Sequence, residues 1–304
     1  MIALVTGGSG FIGTNLIKRL SNNNHVEYRE NIIVSVDNYS TGLEKNDIDC
    51  PGVEYHFVDI TEHTNYSSLI QDCEVIFHLA ALPRIQPSFE TPTESFKSNV
   101  LGTMNILEWA RKNGNIPVVY AGSSSTHGGV YSNPYTFTKW QGEELCKLYN
   151  LVYNLPIIIC RFYNVYGPYQ ATEGAYCNVL GIFERLYNNN EPLTITGDGE
   201  QRRDFTYVDD IVDGLVRCGN IILDDIEYPN IGGYTISGGD FELGNGNNYS
   251  INELVDAFGD YPREYVDERP GEIRETLNTD TKAQEILGWN PEGDIVKYIK
   301  SNIV

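Results

Sequence analysis

"VTGGSGFIGTNL", residues 5–16, decides how the rest of the chain is read. It closes an apolar run, "IALVT" (2–6), and passes directly into a stretch of helical spacing, so it predicts a strand, a glycine-rich turn and a helix. Its glycines fall in two frames, Gly7-x-x-Gly10-x-x-Gly13 and Gly8-x-Gly10-x-x-Gly13. Either frame sets backbone N–H groups and a helix N-terminus against a pyrophosphate. A tight strand-to-helix turn also needs glycine without any ligand, so the fingerprint takes its meaning from the neighbouring segments. The next apolar run, "IIVSVD" (32–37), ends in Asp37. An acid there accepts from both ribose hydroxyls of an adenosine and repels a 2′-phosphate, which favours NAD over NADP.

The rhythm continues outward through "CEVIFHLA" (73–80), "PVVYAGS" (117–123) and "PIIICR" (156–161), runs typical of buried parallel strands. Between them, Val100, Met104 and Leu107 fall on one face of a helix over 99–114, and a second helix is predicted from Tyr135 to Tyr149. "VDIT" (58–61) fits a further strand end, where Asp59 meets the adenine, and "HLAA" (78–81) ends the next. Repeated strand–helix units predict an α/β protein with a Rossmann-type doubly wound parallel sheet. After residue 167 the pattern turns irregular, and "NIGGYTISGGDFELGNGNNYS" (230–250) is loop-rich. We therefore expect a nucleotide-binding domain over 1–167, rejoined by 193–220, and a smaller C-terminal α+β lobe from 168–192 and 221–304.

Composition narrows the function classes. The 304 residues are 41% hydrophobic, enough for a packed core. A net charge of −21, from 42 acids against 21 bases, opposes attraction to nucleic acid or to an anionic membrane. An anionic ligand then needs a local basic cluster. Cys50, Cys73, Cys146, Cys160, Cys177 and Cys218 form no C-x-x-C pair or zinc spacing, so no metal site is expected. No window approaches the about 18 apolar residues of a membrane span. "MIALVTGG" lacks the basic region of a secretory leader, and a cytoplasmic location is expected.

The chemistry concentrates in "AGSSSTHGGVYSNPYTFTKW" (121–140). Tyr135 and Lys139 are one helical turn apart, and an ammonium beside a phenol lowers its pKa, making tyrosine a usable base. Ser123–Ser125 leave a strand at the carboxyl edge of the sheet, where open α/β sheets bind ligands. By itself Y-x-x-x-K also occurs on surface helices. His78, alone in its strand, reads as a structural histidine.

Taken together, "TGGSGFIG", "VDNYSTG" (36–42), "HLAA", "NVLGT" (99–103), "PYTFTK" (134–139), "RFYNVYGP" (161–168), "GDGEQRRDFTYVDD" (197–210) and "ERPGEIRETLNTDTKAQEILGW" (268–289) resemble the extended short-chain dehydrogenase/reductases, in their NAD-dependent nucleotide-sugar epimerase/dehydratase branch. The resemblance implies Tyr135 as the catalytic base, Lys139 as its partner reaching the nicotinamide ribose, and Ser123 as the catalytic hydroxyl, with Ser124 and Ser125 facing the sugar. Along the NAD it implies Gly7, Gly10, Phe11, Ile12 and Gly13, then Asp37 with Asn38, Asp59 with Ile60, Leu79, Ala80 and Ala81, and Asn99. For the nucleotide sugar it implies Asn164, Arg203 and Arg269 at the diphosphate, Asn178 and Val179 at the base, and Thr276 as the residue limiting the C2 substituent. It also implies a homodimer through helices around 92–114 and 135–151.

Two departures stand out. Ser123 and Tyr135 are twelve residues apart where the family has about two dozen, which leaves the pocket either more open or closed by another segment. His127 occupies the tyrosine position of the family's V-Y-G, as a loop filler or a pH-sensitive sugar contact. The dehydratases of the branch carry an Asp-Glu pair beside the hydroxyl, and the decarboxylases a Glu. Ser124 and Ser125 stand there instead, so 4-epimerisation of UDP-glucose/UDP-galactose or their N-acetyl forms is expected, with UDP-glucuronate left open as an alternative to these pairs. The alternatives are a 4,6-dehydratase, a UDP-glucuronate decarboxylase, a simple alcohol dehydrogenase or a silent NAD-binding protein.

Overall fold

The computed structural model describes residues 1–22, 31–62, 66–224, 236–269, 271 and 273–303. Part of the loop-rich 230–250 stretch, residues 230–235, lies outside them, as do Pro270 and Glu272 of the "ERPGE" segment.

Seven strands form one parallel sheet: β1 (Ile2–Thr6), β2 (Ile32–Asp37), β3 (Val53–Phe57), β4 (Val75–His78), β5 (Val118–Ser123), β6 (Ile157–Phe162) and, later in the chain, β10 (Asp240–Leu243). Their order is β10-β6-β5-β4-β1-β2-β3. The apolar runs are buried along their length because helices cover both faces of the sheet. The chain moves from β1 outward to β3 and returns to lay β4 on the other side of β1, with Thr6 opposite His78. That reversal opens a crevice at the carboxyl ends of β1 and β4.

On one face, α1 (Phe11–Ser21) supplies Leu16, Ile17 and Leu20 to a core completed by Phe77, Val119, Val212 and Leu215. On the other lie α2 (Ile85–Glu90), α3 (Pro92–Phe96), α4 (Thr103–Lys112) and α5 (Pro134–Tyr153); α4 and α5 bury Ile106, Leu107, Trp109, Cys146 and Tyr149 against Tyr120 and Ile159. The expected stripe of Val100, Met104 and Leu107 is only partly internal. Leu107 is fully buried, but Met104 is 39% exposed. Within α4 the buried face is Thr103, Ile106, Leu107 and Ala110, and Met104 lies at its edge.

A third core belongs to the smaller lobe. β7 (Asn164–Tyr166), β9 (Arg202–Tyr207) and β11 (Asn248–Ser250) form one small sheet, and β8 (Leu193–Thr196) pairs with β12 (Arg263–Val266). With α6 (Val179–Asn188), α8 (Ile251–Asp256) and α10 (Ile295–Asn302) they enclose Phe183, Ile195, Phe205, Leu254, Phe258 and Ile299. The chain crosses between lobes more often than the expected boundaries. Of 193–220, only α7 (Val208–Leu223) packs on the large sheet, against α1, while β8 and β9 stay in the small lobe. Conversely β10 and α9 (Lys282–Leu287), from the expected second lobe, join the large one: β10 pairs with β6, and Leu287 and Trp289 enter its core. The short apolar run of β10 carries too few residues to announce itself between polar loops.

Candidate active site

A cleft of about 1060 Å³ lies between the carboxyl edge of the sheet and the small lobe. Every residue assigned to the site from the sequence lines it except Asn99. Asn99 stands behind the wall, where its amide pairs with both Leu82 N (2.8 Å) and Leu82 O (3.2 Å) and donates to Thr138 Oγ1 (3.0 Å). It holds the segment after β4 in place.

At one end the glycine turn is dictated by contact. Gly7 has φ 72°, and a Cβ there would lie 2.8 Å from Ala80 N; a Cβ on Gly13 would collide with the carbonyl of Gly7. α1 begins at Gly10, which has no side chain to cap it, so the helix N-terminus is open toward an anion. Asp37 accepts from Ser9 N (3.1 Å) and Tyr39 N (2.8 Å), and burial pushes its pKa up. Asp59 accepts from Asn38 Nδ2 at 3.0 Å and Thr61 N at 2.8 Å. An uncapped helix end, a backbone cradle and an acid at the tip of β2 fit a dinucleotide.

The expected catalytic residues are carried by β5 and α5. Asn133 caps α5 by accepting from Thr136 N (2.8 Å), and Pro134 starts the helix, which places Tyr135 in its first turn. Tyr135 Oη donates to Ser123 Oγ at 3.3 Å, and Ser123 Oγ lies 2.9 Å from Ser125 Oγ. Lys139 donates to Ala121 O at 2.6 Å and lies 4.6 Å from the centre of the Tyr120 ring. Burial pushes Lys139 down to about 8. Burial also pushes Tyr135 up, opposed by its bond to Ser123 and by the Arg84 charge. The sequence expectation of a lowered phenol is thus reversed in the protein alone, because desolvation outweighs the nearby charges. Behind Ser123, Glu143 accepts from its N–H (3.3 Å) and from Arg161 Nε (2.9 Å).

At the far end, Asn164 Nδ2 donates to Asp204 O (3.2 Å) and Thr276 Oγ1 (3.3 Å), and Arg203 Nη1 donates to Arg202 O (2.9 Å). Arg269 is exposed on the rim. Asn178 caps α6 through Gly181 N (2.6 Å) and donates to Val165 O (3.0 Å). Its side chain therefore shapes the wall as well as facing the cleft.

The short loop from Ser123 to Tyr135 is covered by another segment. A Cβ on Gly128 would collide with Ile273, and Gly271 sits against the Phe89 ring. His127 turns away to Glu242, with Nε2 to Oε1 at 3.0 Å, and does not line the cleft. His78 is bonded through both nitrogens, to Thr6 Oγ1 (2.7 Å) and Thr103 Oγ1 (3.0 Å), and burial holds it down at about 3. It has no free nitrogen for chemistry.

Residues 3–220 match the model of the NAD dependent epimerase/dehydratase family. The chain belongs to this family. A UDP-glucose 4-epimerase of Mycolicibacterium smegmatis is 31% identical over 100% of this chain and 97% of its own. The structure of the Thermotoga maritima UDP-glucose 4-epimerase with UDP-glucose superposes with a TM-score of 0.85 at 27% identity, covering 100% and 97% of the two chains. That of the Bacillus cereus UDP-glucuronic acid 4-epimerase, with UDP-glucuronic acid and NAD, gives 0.84 at 26%, covering 100% and 98%. The protein is accordingly an NAD-dependent enzyme of the nucleotide-sugar epimerase/dehydratase family.

Three residues of this epimerase-family site escaped the sequence reading. Glu143, four residues beyond Lys139, was legible from helical spacing. Asp204 accepts from Asn245 N (2.8 Å), Gly246 N (2.9 Å) and Asn278 N (2.9 Å), tying two loops to the strand that carries Arg203. Arg84 lines the cleft near Tyr135 and had one signal, a lone base in the otherwise uncharged "HLAALPRIQ".

Proposed function

We propose that the enzyme interconverts the C4 epimers of a UDP-linked hexose through a transient 4-keto sugar. UDP-glucose/UDP-galactose and their N-acetyl counterparts are the leading pairs, and UDP-glucuronate is a third substrate. The observation carrying this reading is the row of hydroxyls at the reacting centre. Tyr135 bonds to Ser123 at 3.3 Å, and the adjoining residues are Ser124 and Ser125 rather than carboxylates. Elimination of water needs an acid and a base beside the hydroxyl. Glu143 does not line the cleft and is paired with Arg161.

In this reading NAD, held along Gly7–Gly13 and Asp37, supplies the acceptor and donor of hydride at C4. Tyr135 takes the proton of the C4 hydroxyl, and Ser123 aligns that hydroxyl. Lys139 places positive charge behind the phenol, and as NAD binds it reaches the nicotinamide ribose. The 4-keto sugar turns over, and Tyr135 returns its proton on the other face. Asn164, Arg203 and Arg269 hold the diphosphate, so binding strength sits away from a hexose that has to rotate. Small Thr276 leaves room for an N-acetyl group.

Proton NMR of the anomeric signals tests the reading with UDP-galactose, UDP-N-acetylgalactosamine and UDP-glucuronate in separate tubes. Conversion to the C4 epimer without loss of mass is expected, and Tyr135→Phe lowers the rate by on the order of 10²-fold or more. Release of water or carbon dioxide points to the dehydratase or decarboxylase. No change in any tube points to a silent binder.

A further inference from the structure

The cleft contains a cation that neither the diphosphate end nor the hydroxyl row uses. Arg84 follows β4 and stands just before the first turn of α2 with φ 94° and ψ 139°, a conformation L side chains rarely adopt. Such backbone persists where surrounding structure over-determines it, and it clusters at ligand sites. Here the determinants are visible. Asn99 grips Leu82 through both its N–H and its carbonyl, and Ser88 of α2 accepts from Tyr135 N at 3.0 Å. The segment that presents Arg84 is therefore fastened to the helix that presents the catalytic tyrosine.

The guanidinium is anchored through one nitrogen. Nε donates to Tyr176 O at 2.9 Å. Among the described residues no carboxylate lies within ion-pair distance of Arg84, whereas Arg161 pairs with Glu143, Asp240 and Glu242. The groups that face Arg84 electrostatically are the Tyr135 phenol and the Cys177 thiol, both pushed up by burial and so neutral near pH 7. Although the chain has twice as many acids as bases, no carboxylate among the described residues meets this partly buried cation in the cleft. Such a group is costly unless an anion meets it on binding. A guanidinium whose Nε is already engaged offers its two terminal nitrogens as a planar fork, a geometry matched to a carboxylate.

We propose that Arg84 is a specificity residue that receives the C6 carboxylate of a UDP-linked uronate, favouring acidic over neutral hexoses. The inference rests on the nucleotide-sugar reading above and narrows its substrate class. The anion belongs to the sugar because Arg84 stands beside Tyr135, at the reacting end, while Asn164 and Arg203 mark the opposite wall from β7 and β9.

Calorimetric titration of the NAD-loaded Tyr135→Phe protein separates binding from turnover, with UDP-glucuronate, UDP-galactose and UDP as ligands. UDP-glucuronate is expected to bind on the order of tenfold tighter than UDP-galactose. Adding Arg84→Gln weakens UDP-glucuronate by on the order of 10- to 100-fold and the other two much less. Arg84→Lys, which keeps the charge but lacks the fork, retains part of the preference. Equal losses for all three ligands mean a diphosphate contact or an indirect effect and overturn the proposal. So does a parent protein that shows no preference for the uronate, a comparison that decides the matter even if Arg84→Gln fails to fold. If the preference is present but the active enzyme epimerises nothing, the epimerase reading fails and the role of Arg84 stands.

Discussion

Tyr135 carries its proton in a buried site whose net effect is to raise its pKa, so the chemistry depends on charges that arrive with ligands or stand nearby. The spacing of Tyr135 and Lys139 was legible because one helical turn fixes it. Arg84 was not, because its importance lies in its torsion, its place in the cleft wall and the lack of a carboxylate neighbour among the described residues, all tertiary properties. His127 is an intermediate case. Its position beside the serines was readable, but its partner Glu242 is 115 residues away. That hydrogen bond pushes His127 above its ordinary 6.5, despite burial and the opposing Arg161 charge, while Glu242 is held below the usual carboxylate range and stays ionised. A raised histidine pKa contributes stability that is complete below pH 6.5 and is lost as pH rises through the folded value. The side chain is half exposed, so the contribution is about 0.5 kcal/mol or less after screening. Thermal melts should show His127→Gln lagging the parent more at pH 5.5 than at pH 8.5. An equal gap at both values would contradict the pairing.

Among elements, the strands and the glycine turn were the most legible, because continuous burial and a backbone collision each leave one kind of residue acceptable. The helix over 99–114 was legible in existence but not in the residues it buries, since Met104 lies at the edge of the face that buries Ile106 and Leu107. Its exposed apolar residues form a surface of their own. Phe96, Val100, Leu101 and Met104 line a surface groove with Leu145 of α5, and Leu148, Leu151 and Val152 continue exposed along α5. Contiguous apolar surface on two packed helices marks an interface. We propose that two copies meet here as the resemblance implied, in a four-helix arrangement. Sedimentation at micromolar concentration should give a dimer, and Leu101→Glu should shift it to monomer. A monomeric parent protein would contradict the proposal.

At the scale of the whole molecule, the sequence conveyed two lobes but not how often the chain crosses between them. β10 and α9 return to the large sheet from a region dominated by polar loops, and Asp204 binds loops from two distant parts of the chain. These crossings place the hydroxyl row, the acid at the tip of β2 and the arginines around one cleft. Net acidity leaves such clustered arginines as the local sites for an anionic ligand. In the proposed reaction the cleft takes hydrogen from C4 and returns it to the opposite face of the same carbon. Proton and deuterium NMR of the product formed from UDP-galactose carrying deuterium at C4 follows that hydrogen. UDP-glucose with the label retained at C4 is expected. Label appearing at C6 with loss of water, or label lost to solvent, would contradict it.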